Sequence, residues 1–221
     1  MRLILKYIKE NRLIILLTIV FFIIRLPFLD QLNLLHDERD ISLSGYSIAK
    51  TGKDLSGNFL PLNIKNIAPD NPVVSIYYSA AWWLLTSEKT VFATRFPYVF
   101  FSSFLVYLVY KLIFIITKQK KLAYMTTIVF CFSPWIFHVT RLAMDVTIAL
   151  PTLIIAIILQ LKNNRKLSYI FYILTFFNYQ GFRILIPFLI LFFTVFNNQK
   201  KELLKTTITN ILFIFFHKFI S

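Results

Sequence analysis

The stretch Leu13–Leu29, with the sequence LIILLTIVFFIIRLPFL, decides the fold class of this chain. An α-helix rises 1.5 Å per residue, so roughly 17 to 25 apolar residues cross the hydrocarbon core of a bilayer. No small-residue cleavage pattern follows the run, as it would after a secretory signal peptide. The sequence therefore predicts an uncleaved first span. Four basic residues precede it and indicate a cytoplasmic N-terminus: Arg2, Lys6, Lys9 and Arg12.

The composition supports an integral membrane protein. The 221 residues are 57% hydrophobic and only 15% charged, whereas soluble domains carry about 25% charged residues. The net charge of +14 comes from short basic clusters between apolar runs, which is typical of cytoplasmic loops. It does not indicate a nucleic-acid partner. Cys131 is the one cysteine, so the chain offers neither an internal disulfide framework nor a thiolate metal site.

Seven further apolar segments follow the first span. They cover about 72–87, 97–116, 122–139, 145–161, 167–180, 183–196 and 206–220. Three basic clusters separate the later segments and predict cytoplasmic loops. The clusters are Lys118, Lys120 and Lys121; Lys162, Arg165 and Lys166; and Lys200, Lys201 and Lys205.

These basic loops are all cytoplasmic only if one early segment does not cross the membrane. The segment Pro72–Ser87 is the best candidate, because it is rich in Tyr and Trp, which prefer the headgroup level of a bilayer. We expect it to lie in the outer interface. The predicted fold is thus an all-α polytopic membrane bundle, a single transmembrane module over residues 1–221 with about seven spans. Residues 30–95 form an external loop with interfacial helices.

The predicted external loop concentrates carboxylates. Six of the ten acidic residues lie between positions 30 and 70: Asp30, Asp37, Glu38, Asp40, Asp54 and Asp70. Asp37 and Glu38 lie just beyond the first span, before a short helix predicted at Ile41–Lys50. A carboxylate pair at a membrane surface suits general-base chemistry, because burial and a neighbouring charge tune one of the two groups. Helix capping and solvation of the loop are the alternative.

A second acidic position and three arginines are predicted on the same outer side. Asp145 begins an apolar segment, and ionisable residues at membrane depth are usually paired or functional. Arg95, Arg141 and Arg183 lie at outer segment ends, where guanidinium groups match the oxygens of an anionic lipid headgroup. The alternatives are an ion pair between Arg141 and Asp145, and simple snorkelling of each arginine to phospholipid.

No familiar catalytic motif is present in the sequence. The P-loop, the dinucleotide fingerprint, G-x-S-x-G and H-E-x-x-H are all missing. This argues against a nucleotide-driven transporter and against a serine or zinc hydrolase. His36 and His138 are candidate metal ligands, but an interfacial histidine without a metal is more common. We therefore assign no metal-binding residue and no cofactor, although a divalent metal remains compatible with the sequence.

Several motifs together resemble a known family. They are His36-Asp37-Glu38 after the first span, YSIAKTGKDLSGNFLPL at 46–62, Asn71-Pro72 before a Tyr/Trp-rich helix, Arg95-Phe96-Pro97, Ser133-Pro134-Trp135, Thr140-Arg141 with Asp145, Tyr179-Gln180, and Arg183 to Pro187. This layout is similar to the amino-terminal half of the bacterial polyprenyl-phosphate-sugar glycosyltransferases of the GT-C fold. Those enzymes are related to dolichyl-phosphate-mannose protein mannosyltransferases and to aminoarabinose lipid A transferases. The resemblance covers nearly the whole chain.

The resemblance implies a reaction and roles for the site residues. A hexose would pass from a polyprenyl-phosphate donor to a glycan, lipid or protein acceptor at the extracytoplasmic face of a bacterial or archaeal plasma membrane. Asp37 would be the base, Glu38 its partner and Asp145 the second acidic position. Arg95, Arg141 and Arg183 would bind the lipid phosphate. Inversion at the sugar carbon would follow from a single displacement.

The chain departs from the family pattern at two points. Asn71 stands where the family often has a lysine that binds phosphate. Relatives are also usually longer, so the resemblance predicts that this chain is truncated at its C-terminus. The alternative function is a non-catalytic lipid-carrier-binding or flippase-like protein, or an inactive fragment. A secondary transporter ranks below both, because the sequence has no internal repeat.

Overall fold

The computed structural model describes residues 2–62, 64, 72–86 and 88–196. This part of the chain is all-helical and contains no strand, although Lys53 and Phe59 form an isolated antiparallel bridge. The helices are α1 (Arg2–Ile23), α2 (His36–Thr51), α3 (Val73–Leu85), α4 (Val91–Ser103), α5 (Leu105–Thr117), α6 (Lys120–Cys131), α7 (Pro134–Val139), α8 (Asp145–Leu161), α9 (Arg165–Phe176) and α10 (Gln180–Phe196).

The chain divides into two compact units, residues 1–179 and 180–221. The first unit contains α1 to α9, and the second contains α10. Some of the sequence predictions lie outside the described residues. They concern Asp70, Asn71, Lys200, Lys201, Lys205 and the apolar segment 206–220.

One helical stretch among the described residues is long and apolar enough to cross a membrane. It covers Val91–Thr117, with a mean hydropathy of 2.3, and includes α4 and α5. Four shorter apolar helices of 10 to 17 residues accompany it: Asn11–Ile23, Val73–Leu85, Asp145–Leu161 and Gln180–Val195. The structure thus confirms the all-α prediction and supplies one candidate span by length and composition.

Local capping interactions fix where the helices begin and end. At the start of α4, the Thr90 hydroxyl accepts a hydrogen bond from the Ala93 N–H at 3.1 Å, as an N-cap residue does. At the end of α2, Gly52 adopts a left-handed conformation with φ of 69°, and its N–H donates to the Ile48 carbonyl. Glycine tolerates this conformation because it has no Cβ.

Two predicted element boundaries were wrong. The helix predicted at Ile41–Lys50 begins at His36, because Glu38 at the third helical position accepts the Leu35 N–H at 2.9 Å and caps the first turn. The apolar segment 122–139 is divided into α6 and α7. Pro134 lacks the N–H that a continuous helix would use, and it opens α7 with Ser133 as N-cap.

The helices of the predicted external loop pack closely on their neighbours. A Cβ atom on Gly45 of α2 would lie 2.7 Å from Ser79 Cβ and 2.9 Å from the Ile76 carbonyl oxygen of α3, so only glycine allows this approach. A buried apolar cluster then joins α2 and α3 to α4, to α8 and to the turn at 140–144; it includes Ile41, Ile76, Tyr98, Ala143 and Ile148. This cluster packs together the helices and the turn that carry the candidate site.

Hydrogen bonds between small polar side chains join α8 and α9. The Ser168 hydroxyl donates to the Ala156 carbonyl at 2.8 Å, and the Thr175 hydroxyl donates to the Thr152 hydroxyl at 2.9 Å. All four residues are buried. Small residues and interhelical hydrogen bonds of this kind are common where helices pack in apolar surroundings.

Candidate functional site

A buried ion pair between Glu38 and Arg95 forms the centre of the candidate site. Arg95 Nε donates to Glu38 Oε1 at 2.8 Å, and Arg95 Nη2 donates to Glu38 Oε2 at 2.7 Å. The Glu38 side chain is fully buried and the Arg95 side chain is 5% exposed. This bidentate geometry is the strongest that a guanidinium and a carboxylate form. It connects the first turn of α2 to α4.

Glu38 also accepts two backbone hydrogen bonds. The Leu35 N–H donates to Oε2 at 2.9 Å, and the Ala143 N–H donates to Oε1 at 2.8 Å. Burial alone would raise the pKa of Glu38, but the bonds from Arg95, Ala143 and Leu35 outweigh it and lower the pKa below its ordinary value. The carboxylate is therefore held in its charged form and joins three segments of the chain.

Arg95 has no N–H group left for a ligand. Besides the two bonds to Glu38, Nη1 donates to the carbonyls of Leu29 and Leu32 at 2.8 and 3.1 Å, and Nη2 donates to the Asn33 carbonyl at 3.2 Å. All five donors of the guanidinium are satisfied. Arg95, predicted as a ligand of the lipid phosphate, shapes the segment at 29–33 in this structure.

A cavity of about 360 Å³ lies beside this ion pair. Its wall combines apolar and polar side chains from the segment after α1, from α7 and from the turn at 140–144. The lining residues are Phe28, Leu29, Gln31, Leu32, Asn33, Leu35, Arg95, His138, Arg141 and Leu142. Glu38 neutralises Arg95, so Arg141 is the cation of this wall that favours an anion, and the neighbouring leucines favour a ligand with an apolar part.

Arg141 is the arginine of this cavity that retains donors for a ligand. The one hydrogen bond that its guanidinium makes within the described part of the chain joins Nη2 to the Pro27 carbonyl at 2.6 Å. Burial, followed by the nearby charge of Arg95, lowers the pKa of Arg141 from its ordinary value. The carbonyl of the second basic residue, His138, accepts the backbone N–H of Arg141 at 3.0 Å. These two basic residues thus belong to one turn.

Asp37 and Glu38 lie in very different environments. The side chain of Asp37 is 60% exposed, and its Oδ1 lies 3.7 Å from His36 Nδ1. Leu35, two residues earlier, lines the cavity. Asp37 is therefore the accessible carboxylate of the predicted pair, and Glu38 is the structural one.

Asp145 begins α8 next to the same turn. Its Oδ1 accepts the Val146 N–H at 2.7 Å, and its backbone carbonyl accepts Asn178 Nδ2 at 2.7 Å. The other side of the Asn178 amide accepts the Ser75 N–H of α3 at 2.7 Å. Because Glu38 bonds Ala143, the segments that carry Asp37 and Asp145 are in direct contact.

The remaining predicted phosphate ligand lies in the second unit. Arg183 belongs to the first turn of α10, which lies in the second unit, residues 180–221. Its assignment to the site stays a prediction.

The sequence analysis missed two buried polar residues. Asn178 is 1% exposed and bridges α3 to the start of α8. Arg25 is completely buried at the end of the first apolar stretch, and its guanidinium donates to five acceptors. A signal for Arg25 was available, since an arginine inside an apolar run is a functional candidate by default.

Metal ligands do not cluster in the part of the chain that the structure describes. No group of three or more His, Cys, Asp or Glu side chains there could hold an ion. His36 and Asp37 approach each other as a pair, while His138 lies on α7 and lines the cavity.

Comparison of the chain with protein-family models, with curated proteins and with solved structures yields no match in any of the three.

Proposed function

We propose that this chain is the transmembrane module of a glycosyltransferase of the GT-C type. It transfers a hexose from a polyprenyl-phosphate donor to a glycan, lipid or protein acceptor at the extracytoplasmic face of the membrane. The observation that carries this proposal is the cavity, in which apolar walls surround the available guanidinium of Arg141. An exposed carboxylate, Asp37, follows Leu35 of the cavity wall by two positions in the sequence.

The reaction requires a base and an anion-binding group. In the proposed step, the acceptor hydroxyl loses its proton to the Asp37 carboxylate while its oxygen bonds to the sugar carbon. The bond between that carbon and the phosphate oxygen breaks, and the lipid phosphate leaves with the electron pair. Its charge grows as it leaves, so Arg141 stabilises the transition state more than the bound donor. His138 lies beside Arg141 in the cavity wall.

Glu38 and Arg95 act as positioning residues in this proposal. Both are buried and bonded to each other, and Arg95 has no donor left. Their contribution is to hold the first turn of α2, the segment at 29–33 and the turn at Ala143 around the cavity. Asp145 lies two residues beyond that turn and is a second acidic group for acceptor or donor.

We further propose the seven-span arrangement with a cytoplasmic N-terminus for the whole module. The candidate span Val91–Thr117 supports it, and the two 17-residue helices α8 and α10 reach the lower limit of roughly 17 residues for a span. Reporter fusions at Lys120 and Asn164 test the orientation, since both positions are expected in the cytoplasm. An external signal at either position would separate the basic loops from the cytoplasm and contradict the proposed topology.

The catalytic assignment is tested by Asp37→Asn. The purified full chain in lipid nanodiscs is given a radiolabelled polyprenyl-phosphate hexose and a set of acceptors. We expect the variant to lose roughly 10²- to 10⁴-fold in transfer rate, as removal of a general base does. Glu88→Gln is the matched control, because Glu88 is an exposed carboxylate of the same predicted loop and none of the residues next to it lines the cavity. Equal rates for wild type and Asp37→Asn would contradict the assignment.

A non-catalytic lipid-carrier-binding protein is the second candidate function. Two observations favour it: Glu38 and Arg95, both predicted to take part in the reaction, are fully engaged within the protein. This candidate shares Arg141 and the cavity but needs no base. Saturable binding of the polyprenyl-phosphate hexose by wild type and by Asp37→Asn alike, with no transfer by either, would support it over the enzyme.

A further inference from the structure

Arg25 is a completely buried arginine near the cavity. Its Nε donates to the Phe21 carbonyl at 2.9 Å, and Nη2 donates to the Val99 carbonyl at 2.9 Å and to Ser103 Oγ at 2.7 Å. Its Nη1 donates to Ser102 Oγ at 2.9 Å and to the Thr140 carbonyl at 3.1 Å. All five donors are therefore used, and every acceptor is neutral.

This arrangement is costly for a residue that only fills space. Burying a guanidinium without a carboxylate is unfavourable even when its hydrogen bonds are made, because the charge loses its hydration. Within the described residues no carboxylate oxygen lies within 4.0 Å of the Arg25 nitrogens. The Phe21 ring, 3.9 Å from Arg25 Cζ, offsets part of the cost by a cation–π contact. A leucine or methionine would occupy the same place at lower cost.

The hydrogen bonds of Arg25 converge on the backbone that carries Arg141. The Thr140 carbonyl, one residue before Arg141, accepts both Arg25 Nη1 and Ser102 Oγ, the latter at 3.0 Å. On the other side, Arg141 Nη2 donates to the carbonyl of Pro27, two residues after Arg25. Arg25 thus bonds the peptide group before Arg141, and Pro27 bonds the Arg141 guanidinium. Both residues lie near the end of the first apolar stretch.

We infer that Arg25 is a positioning residue that, together with Ser102, fixes the turn at 140–142 so that the Arg141 guanidinium lines the cavity. The inference rests on the proposed function only in the identity of the ligand, a lipid phosphate. The hydrogen bonds from Arg25 and Ser102 to the Thr140 carbonyl do not depend on that ligand.

Ser102 and Ser103 provide a matched pair of variants. Both hydroxyls are buried, and both accept a hydrogen bond from Arg25. The Ser103 hydroxyl donates its one proton to the Val99 carbonyl at 2.6 Å. The Ser102 hydroxyl donates to the Thr140 carbonyl at 3.0 Å, with the Val99 carbonyl as a longer second acceptor at 3.3 Å. Ser102→Ala therefore loosens the turn, and Ser103→Ala removes comparable contacts without touching it. Arg25→Lys keeps the charge but lacks the fork that reaches both Val99 and Thr140.

Two measurements on the full chain in nanodiscs test the inference. Hydrogen–deuterium exchange followed by mass spectrometry reports the opening of the turn at 139–144 without any ligand. Binding of a polyprenyl phosphodiester of hexose, measured against the same lipid without phosphate, reports the Arg141 site. We expect Ser102→Ala to speed exchange in the turn and to weaken phosphodiester binding by about fivefold each, the worth of one hydrogen bond. Ser103→Ala should match wild type in both.

The outcomes separate the inference from the proposed function. Equal exchange in the two serine variants, or wild-type exchange in Arg25→Lys, would overturn the positioning role. Faster exchange in Ser102→Ala and Arg25→Lys, in a protein that binds no phosphodiester, would support positioning and reject the ligand. Melting temperatures that match between Ser102→Ala and Ser103→Ala exclude a general loss of stability as the cause.

Discussion

Asp37 and Glu38 are neighbours in the sequence, yet the structure gives them opposite environments. The Glu38 side chain is fully buried and bonded to Arg95, whereas that of Asp37 is 60% exposed. The same contrast separates the two arginines of the cavity wall: Arg95 has used all its donors, and Arg141 has used one. We call Glu38 and Arg95 the buried pair, and Asp37 and Arg141 the open pair.

Charged residues that are adjacent in the sequence therefore differ in role: one is bonded inside the fold, and the other is accessible to a ligand. The buried pair joins α2, α4 and the turn at 140–144, and its charges cancel. In the open pair, Arg141 lines the cavity and Asp37 is exposed two residues after Leu35 of the cavity wall. Mutation of the buried pair should therefore act on stability, and mutation of the open pair on binding and rate.

The largest effect is expected when one member of the buried pair is removed. Glu38→Ala leaves the Arg95 guanidinium buried without its carboxylate, so the free energy of unfolding should fall by about 3–5 kcal/mol. Reversible unfolding in mixed detergent micelles measures it. Asp37→Ala, the open-pair control, should change stability by roughly 0.5 kcal/mol or less, as surface substitutions do.

The double variant Glu38→Met with Arg95→Met tests the cause of that loss. Apolar residues of similar volume leave no buried charge, so part of the stability should return. The return is incomplete because the five backbone groups that the pair bonds lose their partners. If Glu38→Ala unfolds no more easily than Asp37→Ala, the ion pair does not support the fold and the division between the two pairs fails.

A smaller effect on stability is expected from protonation of Glu38. Its pKa is lower in the folded chain than the ordinary value of 4.5. The stability that this group contributes is therefore fully present above pH 4.5 and is lost as the pH falls through the lowered pKa. A protonated carboxyl keeps its volume and one acceptor oxygen, so the loss is smaller than in Glu38→Ala. The difference in melting temperature between wild type and Glu38→Gln, followed from pH 7 to pH 3, should shrink as the solution becomes acidic.

The sequence predicted those features that depend on runs of apolar residues and on charge. It indicated an all-helical chain and a helix that begins at Asp145, and both are present. It also placed the turns at 141–145 and 178–183 on the same outer side of the membrane as the external loop, which stays a prediction; within the first unit, two contacts join these regions. Glu38 contacts Ala143, and Asn178 contacts Ser75. Hydrophobic length and charge clusters are local properties, so they can be read without coordinates.

The division between buried and open pairs could not be predicted in the same way. Arg95 is satisfied by the carbonyls of Leu29, Leu32 and Asn33, and backbone carbonyls carry no residue-specific signal. The sequence indicated that Glu38 is one member of a carboxylate pair with a catalytic role. Helix capping was the alternative, and Glu38 does cap the first turn of α2 by accepting the Leu35 N–H. Arg25 lies within the apolar stretch Leu13–Leu29. A single arginine in such a stretch indicates a buried polar contact, but the stretch was interpreted only as a membrane span.

A small effect on stability and the clearest effect on binding are expected for Arg141→Gln. The variant loses one partly exposed hydrogen bond, to the Pro27 carbonyl, so stability should fall by about 1 kcal/mol or less. Charged hydrogen bonds to a phosphate are worth roughly 1.5–3 kcal/mol, so affinity for the polyprenyl phosphodiester should fall by roughly 10- to 150-fold. Equilibrium binding in nanodiscs measures it. Arg39→Gln is the control, because Arg39 is exposed on α2 and does not line the cavity. An equal loss of affinity in the two variants would mean that lipid binding depends on the overall charge of the protein. Arg141 would then not be a specific ligand of the phosphate.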